Sequence, residues 1–211
     1  MECQKAEFIT KVLKTIMVIS FRYTVVSNLG TGNLEKIYSD CALAIREGKV
    51  KSPAEKKFSK EVFSHLRPAY VEDERFVTDF AASITRYILA QINDSLESNH
   101  ERNVSDGGDK ITLEHIMPKK PGTDWQSLIP ADEEYEDYVD RIGNLTLLEK
   151  GKNKGIANAG FKEKKEKAYS TSTLALNRDL ANKSTWTIEE IKTRSKHLAK
   201  RAIQIWRSDY Q

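Results

Sequence analysis

The hydrophobic residues of the first hundred positions recur at intervals of three and four, which is the spacing of amphipathic helices. The pattern predicts a helix near the N-terminus and a second one after a turn at residues 30–33. A capping box predicts a third helix at residues 52–68, and apolar residues at helical spacing predict a fourth over residues 76–88. Residues 1–100 are therefore predicted to form a helical region. Its first apolar stripe, expected to pack into a core, is Ile9, Val12, Leu13, Ile16 and Met17.

The pattern changes after a polar segment at residues 94–109, which we interpret as a linker. Ile111 and Leu113 alternate with a polar residue, which predicts a short strand that ends at Glu114 and His115. Residues 145–148 are apolar and follow Gly143, which predicts a second short strand entered through a tight turn. The predicted fold class is mainly α, with a small strand-containing part in residues 101–211.

Two further helices are predicted near the C-terminus. Asn158 is expected to cap a helix in which Phe161 packs inward, while the lysines that follow it project outward. Residues 187–190 form a second capping box, and the helix that they open presents an apolar stripe. We expect this last helix to brace the fold.

Composition limits the class of protein. The chain has 211 residues, of which 39% are hydrophobic and 31% charged, so one large or two small domains with a real core are expected. A net charge of +3 permits nucleic acid as a partner without requiring it. The two cysteines, Cys3 and Cys41, lack metal-binding spacing and favour a reducing compartment. Lysine and arginine interrupt the apolar stretch at residues 8–26, so no membrane span is expected, and the predicted location is cytoplasmic.

Four side chains in the second half have the chemistry of a nuclease that uses one metal ion. His115 can take a proton from water, since an imidazole titrates near neutral pH. Glu114 and the amide oxygen of Asn153 are hard oxygen donors of the kind that Mg²⁺ or Mn²⁺ prefers. Asn144, or a backbone carbonyl, could hold the imidazole in one orientation. These residues predict phosphodiester hydrolysis.

At these residues the chain resembles the HNH (ββα-metal) endonucleases, and within them the C-terminal nuclease domain of GmrSD-type modification-dependent restriction enzymes and the SspE-type anti-phage nickases. The matching segments are residues 114–118, 141–148, Asn153 and 158–164, and Trp186 with the last helix is similar to that domain's closing segment. The resemblance implies a helical N-terminal part packed on an HNH-type core in residues 101–211, closed by C-terminal helices.

The same resemblance implies a role for each residue. His115 would be the general base, Glu114 and Asn153 would bind the divalent metal, and Asn144 would support the site. It also implies a DNA-nicking effector of a bacterial anti-phage or modification-dependent restriction system. An N-terminal nucleotide-hydrolysing sensor domain or subunit would be its partner, and the chain contains no P-loop of its own.

Charge near these residues predicts where DNA lies. Residues 150–167 contain seven lysines and two acids, and phosphate contacts are predicted for Lys152, Lys154, Lys162, Lys164 and Lys165. Residues 132–140 contain six acids, which we interpret as a solvated helix face turned away from the DNA. The alternative to a nuclease is a catalytically inactive helical module that binds DNA or protein and keeps a degenerate HNH core.

Overall fold

The computed structural model describes residues 2–49, 82–97, 104, 108–131 and 133–207. The predicted third helix and the beginning of the fourth lie outside these residues. The chain divides into two compact units, one comprising Met1–Phe76 with Trp206–Gln211 and the other Val77–Ile205. This division precedes the expected boundary at residue 100, because the helix Ala82–Leu96 contacts both strands of the second unit.

The first unit contains helix α1 (Glu2–Ser20), a π-helical turn at Phe21–Val26 and helix α2 (Gly32–Arg46). The two predicted helices are confirmed, and the predicted core stripe of α1 is right for Val12, which packs against the core, and wrong for three of its members. Ile9, Leu13 and Met17 are exposed. The side of α1 that is buried instead carries Thr15, Val18 and Ile19. Thr15 is tolerated there because its hydroxyl donates to the Lys11 carbonyl in the preceding turn.

The second unit is mostly helical and contains a two-stranded sheet. Helix α3 (Ala82–Leu96) precedes strand β1 (Ile111–His115), and strand β2 (Leu145–Glu149) comes after two short helices. Both predicted strands and the mainly α class are confirmed. In chain order the remaining helices are α4 (Thr123–Gln126), α5 (Glu136–Val139), α6 (Lys150–Ile156), α7 (Phe161–Lys167), α8 (Arg178–Asn182) and α9 (Ile188–Ile205).

The strands are antiparallel, with Ile111 opposite Glu149 and His115 opposite Leu145. This register places the last residue of β1 beside the first residue of β2. Helix α6 follows β2 without a loop and contacts both strands. The end of β1 is therefore close to the beginning of β2, whereas α6 starts beside the beginning of β1, where Asn153 bonds to Thr112 although 41 residues separate them.

A core of large side chains holds the elements around the sheet. Trp125 and Trp186 are almost completely buried, and the ring of Trp186 stacks on that of Phe161 at a centroid distance of 5.6 Å. The cluster extends through strand, helix and turn residues, namely Ile116, Met117, Tyr138, Leu148, Ile156, Ala168, Tyr169, Leu180, Ile188 and Ile191. Each such apolar side chain contributes about 1.5–3 kcal/mol when removed from water.

The two C-terminal helices are where they were predicted, with one change in capping. Residue Gly160, in extended conformation, is the N-cap of α7, so the prediction that Asn158 caps this helix is wrong. Asn158 lies exposed in the turn that precedes it. The capping box of α9 is confirmed on one side, because the Glu190 amide donates to the Thr187 hydroxyl. Among the described residues, no helix has the length and apolar character that crossing a membrane requires.

Helix α9 packs against the turn that leads into β2. A Cβ atom on Gly143 would lie 2.1 Å from the Ile191 carbonyl oxygen and 2.3 Å from the Ser195 hydroxyl oxygen. Only glycine permits this approach, and its amide donates to the Ser195 hydroxyl at 3.1 Å. The Arg194 guanidinium adds bonds to the carbonyls of Gly143 and Leu145. The last helix therefore braces the beginning of β2, as its sequence predicted.

Candidate active site at the end of strand β1

Glu114 and His115 are the last two residues of β1, and their side chains lie on opposite faces because a strand alternates. Glu114 is buried, whereas His115 is partly exposed. The adjacent residues are therefore placed in different surroundings by the backbone alone.

The carboxylate of Glu114 forms a buried ion pair with Lys164 of α7. The Lys164 ammonium donates to Glu114 Oε1 at 2.6 Å and to the His115 carbonyl at 2.7 Å. Burial raises the pKa of the Glu114 carboxyl and lowers the pKa of the Lys164 ammonium, and the attraction between the two charges opposes both shifts. Lys164 thus binds the end of β1 through both a side chain and a backbone oxygen.

The prediction that Lys164 projects outward is wrong, since its side chain is completely buried. It is therefore removed from the predicted DNA contacts. Its spacing could have revealed this. Lys164 follows Phe161 by three residues and precedes Ala168 by four, and residues three and four apart share one face of a helix. Phe161 was correctly expected to face inward, so Lys164 belongs on the same inward face.

The ring of His115 is bonded to an aspartate that the sequence did not single out. Nε2 of His115 lies 2.8 Å from Oδ1 of Asp140, the residue after α5. The Lys119 ammonium lies 3.1 Å from the same oxygen. Asp140 belongs to the acidic segment that was interpreted as a solvated helix face turned away from the DNA. Its carboxylate is exposed to water, as expected of a solvated face, but it also bonds to the His115 ring, which the sequence did not predict.

The surroundings of His115 favour the neutral ring. Burial lowers the pKa of His115, the hydrogen bond that its ring donates to Asp140 raises it, and the charge of Lys119 lowers it again, with a net decrease below 6.5. A neutral imidazole has an unprotonated nitrogen that can accept a proton, so His115 is in the form that a general base requires at neutral pH. The pKa of Asp140 is lowered, chiefly by its bond to His115, so Asp140 is ionised there.

Asn144 supports the site without touching the imidazole. Its amide oxygen accepts bonds from the Met117 amide and from the Trp186 indole, at 2.8 and 3.1 Å. Its amide nitrogen donates to the carbonyls of Met117 and Val139, both at 2.9 Å. Two donors and two acceptors exhaust this amide, so the expectation that Asn144 bonds to His115 is wrong. We call this set of four bonds the Asn144 clamp.

Asn153 is fixed to β1 from helix α6. Its amide nitrogen donates to the Thr112 hydroxyl at 2.9 Å and to the Leu113 carbonyl at 3.2 Å. Both bonds use the nitrogen, so the side-chain oxygen is the atom left for another partner. Leu113 directly precedes Glu114, which places Asn153 beside the strand segment that carries the acid.

The lysines predicted to bind DNA differ in their availability. Lys152 donates to the Thr171 carbonyl and pairs with Glu149, and Lys165 donates to the Lys183 carbonyl. Lys154 and Lys162 are exposed. These two are the predicted contacts that the structure presents most openly to a DNA backbone.

A family model described as GmrSD restriction endonucleases, C-terminal domain, matches residues 69–201, which is more than half of the sequence. The matched range includes β1, β2, α6, α7 and most of α9, and with them Glu114, His115, Asn144 and Asn153. A search of curated proteins finds no match to the chain.

Proposed function

This chain belongs to the family of C-terminal domains of GmrSD restriction endonucleases, and on that premise we propose that it is a metal-dependent DNA endonuclease of the HNH type. The observation that carries the proposal is the placement of His115. Its ring, bonded to Asp140 at Nε2 and with a pKa lowered by burial, is carried by the last residue of β1, the strand that also carries Glu114 and to which Asn153 is anchored. A single site of this kind cuts one strand at a time, so the expected product is a nick.

His115 supplies the base in the proposed reaction. A water oxygen forms a bond to phosphorus while its proton passes to the imidazole, and the phosphorus bond to the leaving oxygen breaks. A positioned general base of this kind contributes roughly 10²–10⁴-fold to the rate. The Asn144 clamp holds the backbone at Met117, and Lys164 holds the carbonyl of His115 itself. These bonds limit the movement of the ring during proton transfer.

The side chains present fit a hard divalent cation, because the candidate ligands are oxygens. Asn153 has its amide oxygen outside its two hydrogen bonds, and Glu114 offers a carboxylate that also faces Lys164 and the Tyr169 hydroxyl. Mg²⁺ or Mn²⁺ held there would neutralise charge that develops on the phosphate and the leaving oxygen. The ion pair sets a condition on this proposal, since Lys164 already compensates the charge of Glu114.

DNA is the proposed substrate, with Lys154 and Lys162 as backbone contacts and Lys152 and Lys165 in supporting positions. We propose the effector role in a modification-dependent restriction system and the nucleotide-hydrolysing sensor partner on family membership alone. The cytoplasmic location stays a prediction. The alternative, an inactive module that keeps a degenerate HNH core, is tested by a measurement of nuclease activity.

A supercoiled-plasmid assay tests the proposal. The protein should convert supercoiled DNA to the nicked form with Mg²⁺ or Mn²⁺, and EDTA should stop the reaction. His115→Ala should lower the rate roughly 10²–10⁴-fold and leave DNA binding nearly intact. Asn153→Ala should raise the metal concentration needed for half-maximal activity. Undiminished nicking by the His115→Ala protein would remove His115 from the mechanism, and nicking in EDTA would remove the metal.

A further inference from the structure

The bond between His115 and Asp140 involves one of the two ring nitrogens and so bears on which nitrogen can take a proton. We infer that Asp140 is a positioning residue that holds His115 with its Nε2–H directed at the carboxylate and its Nδ1 free to take the proton from water. The inference rests on the proposed nuclease function for its kinetic consequence, whereas the arrangement of the ring can be measured without any activity.

The chemistry of the two partners fixes the location of the hydrogen. An ionised carboxylate only accepts hydrogen bonds, so at 2.8 Å from Asp140 Oδ1 the Nε2 atom of His115 must be the donor. A neutral imidazole carries one ring hydrogen. With that hydrogen on Nε2, the lone pair is on Nδ1, on the other side of the ring.

One buried side chain, that of Asn144, holds the backbone near both partners of the His115–Asp140 bond. Asp140 directly follows Val139, whose carbonyl accepts a hydrogen bond from the side chain of Asn144. The same side chain accepts a hydrogen bond from the amide of Met117, two residues after His115. One buried amide thus ties the backbone next to Asp140 to the backbone next to His115. Lys119, four residues after His115, contacts the same Oδ1 atom at 3.1 Å.

Asp140 has a second effect, which is to stabilise the ring after it has taken the proton. When the O–H bond of the water breaks, its proton goes to Nδ1, its oxygen bonds to phosphorus, and His115 becomes an imidazolium. Asp140 then faces a positive ring instead of a neutral one. A negative partner at 2.8 Å stabilises that ring more than the neutral ring, so the carboxylate favours the proton transfer.

A surface ion pair with Lys119 is the simpler role for an exposed aspartate. Such a pair contributes little, about 0–1 kcal/mol, and does not depend on the state of the imidazole. The two roles make different predictions, because only a positioning residue changes which nitrogen of His115 carries the hydrogen.

Nitrogen NMR of the whole chain with ¹⁵N-labelled histidine measures this directly. The chain has four histidines, and the His115 signals are identified by their loss in His115→Gln. At a pH where the ring is neutral, the unchanged protein should show a protonated Nε2 and an unprotonated Nδ1. Asp140→Ala should give a mixture of the two forms. Asp137→Ala, which removes an exposed acid from the short helix that precedes Asp140, and Lys119→Met should leave the Nε2–H form predominant.

Kinetics with nicked plasmid as product provides the second readout. Asp140→Ala should lower kcat about 10–100-fold, by analogy with the loss of a partner that orients a metal-binding histidine. The KM for DNA should stay equal or decrease, because a negative charge that repels phosphate has been removed. Asp137→Ala should keep kcat within about twofold of the unchanged protein, since exposed substitutions of this kind have small effects.

The outcomes separate this inference from the proposed function. An Asp140→Ala spectrum identical to that of the unchanged protein, or an Nδ1–H form in the unchanged protein, overturns the positioning role whatever the activity. Equal losses of kcat in Asp140→Ala and Lys119→Met with no change in the ring also overturn it and leave a surface ion pair. If the chain does not cut DNA at all, the proposed function fails while the ring spectrum still tests the role of Asp140.

Discussion

Two neighbouring residues at the end of β1 each bond to a charged side chain, and the two pairs lie in opposite environments. The side chains of Glu114 and Lys164 are 7% and 0% exposed, whereas those of His115 and Asp140 are 20% and 59% exposed. A buried charge that loses its partner is costly, whereas an exposed pair contributes little to stability. We infer that the buried pair holds the end of β1 in place, whereas the exposed pair orients the ring of the proposed general base.

The two pairs also differ in the groups that they contact. Lys164 bonds to a backbone carbonyl of β1 as well as to Glu114, so it is part of the support of the strand. Asp140 bonds to the His115 ring and to the Lys119 ammonium, both of them side-chain groups. Stability measurements should therefore respond to the first pair, and activity measurements to the second.

The largest expected effect comes from breaking the buried pair. Lys164→Met leaves the Glu114 carboxylate buried without its partner, so the free energy of unfolding should decrease by about 3–5 kcal/mol. The double variant Glu114→Met with Lys164→Met removes both charges and should recover most of that loss. Urea unfolding followed by tryptophan fluorescence measures these changes, since two buried tryptophans lie in the same core.

Lys162→Met is the matched control, because Lys162 is an exposed lysine of the same helix. It should change the free energy of unfolding by less than about 0.5 kcal/mol. Asp140→Ala should cost no more than about 1 kcal/mol, the limit for an exposed pair. If Lys164→Met unfolds at the same urea concentration as the unchanged protein, the buried pair is not what stabilises the end of β1.

The second expected effect concerns pH and the exposed pair. Because the pKa of His115 is lowered below 6.5, the unprotonated base should persist to mildly acidic pH. kcat/KM should be level near neutral pH and decrease as the pH falls through that lowered pKa. The charge of Lys119 lowers this pKa, so Lys119→Met should move the decrease to higher pH. Lys120→Met, at the adjacent exposed position, is the control and should leave the profile in place.

The smallest expected effect contrasts the exposed lysines with the buried one. Changing Lys154 and Lys162 together to glutamate should weaken binding to unrelated DNA sequences by similar factors. The slope of log affinity against log salt should become less steep by about 0.9 for each lost phosphate contact. Lys14→Glu, in the first unit, is the control for net charge. An unchanged slope in the double variant would make both lysines ordinary surface residues.

The sequence predicted the parts of the site that depend on local pattern. Alternation placed Glu114 and His115 at the end of β1, and the glycine before β2 was expected to permit a tight entry. Helical spacing contained the information that Lys164 faces inward, but the lysine-rich composition around it suggested a solvated face. Spacing was the better guide, because a buried carboxylate opposite it supplies the compensating charge.

Asp140 could not have been selected from sequence alone. It is one of six acids in nine residues, and which of them meets His115 depends on a contact across 25 residues. The partners of Asn144 depend likewise on Trp186 and on the segment after β1, which only the folded chain brings together. Side chains that support a catalytic residue from a distant part of the chain leave no periodic pattern.

The contact of helix α9 with Gly143 has a consequence for the order in which the site is completed during synthesis. Trp186 reaches back 42 residues to Asn144, and Ser195 reaches back 52 residues to Gly143. A ribosome makes the chain from its N-terminus, at about 5–20 residues per second. A nascent chain that ends after β2 therefore carries His115, Asp140 and Asn144 but lacks the indole and the helix that fix their arrangement. The proposed base and its first partners therefore precede Trp186 and helix α9 in the chain, and the site is completed only after residue 195 has left the ribosome.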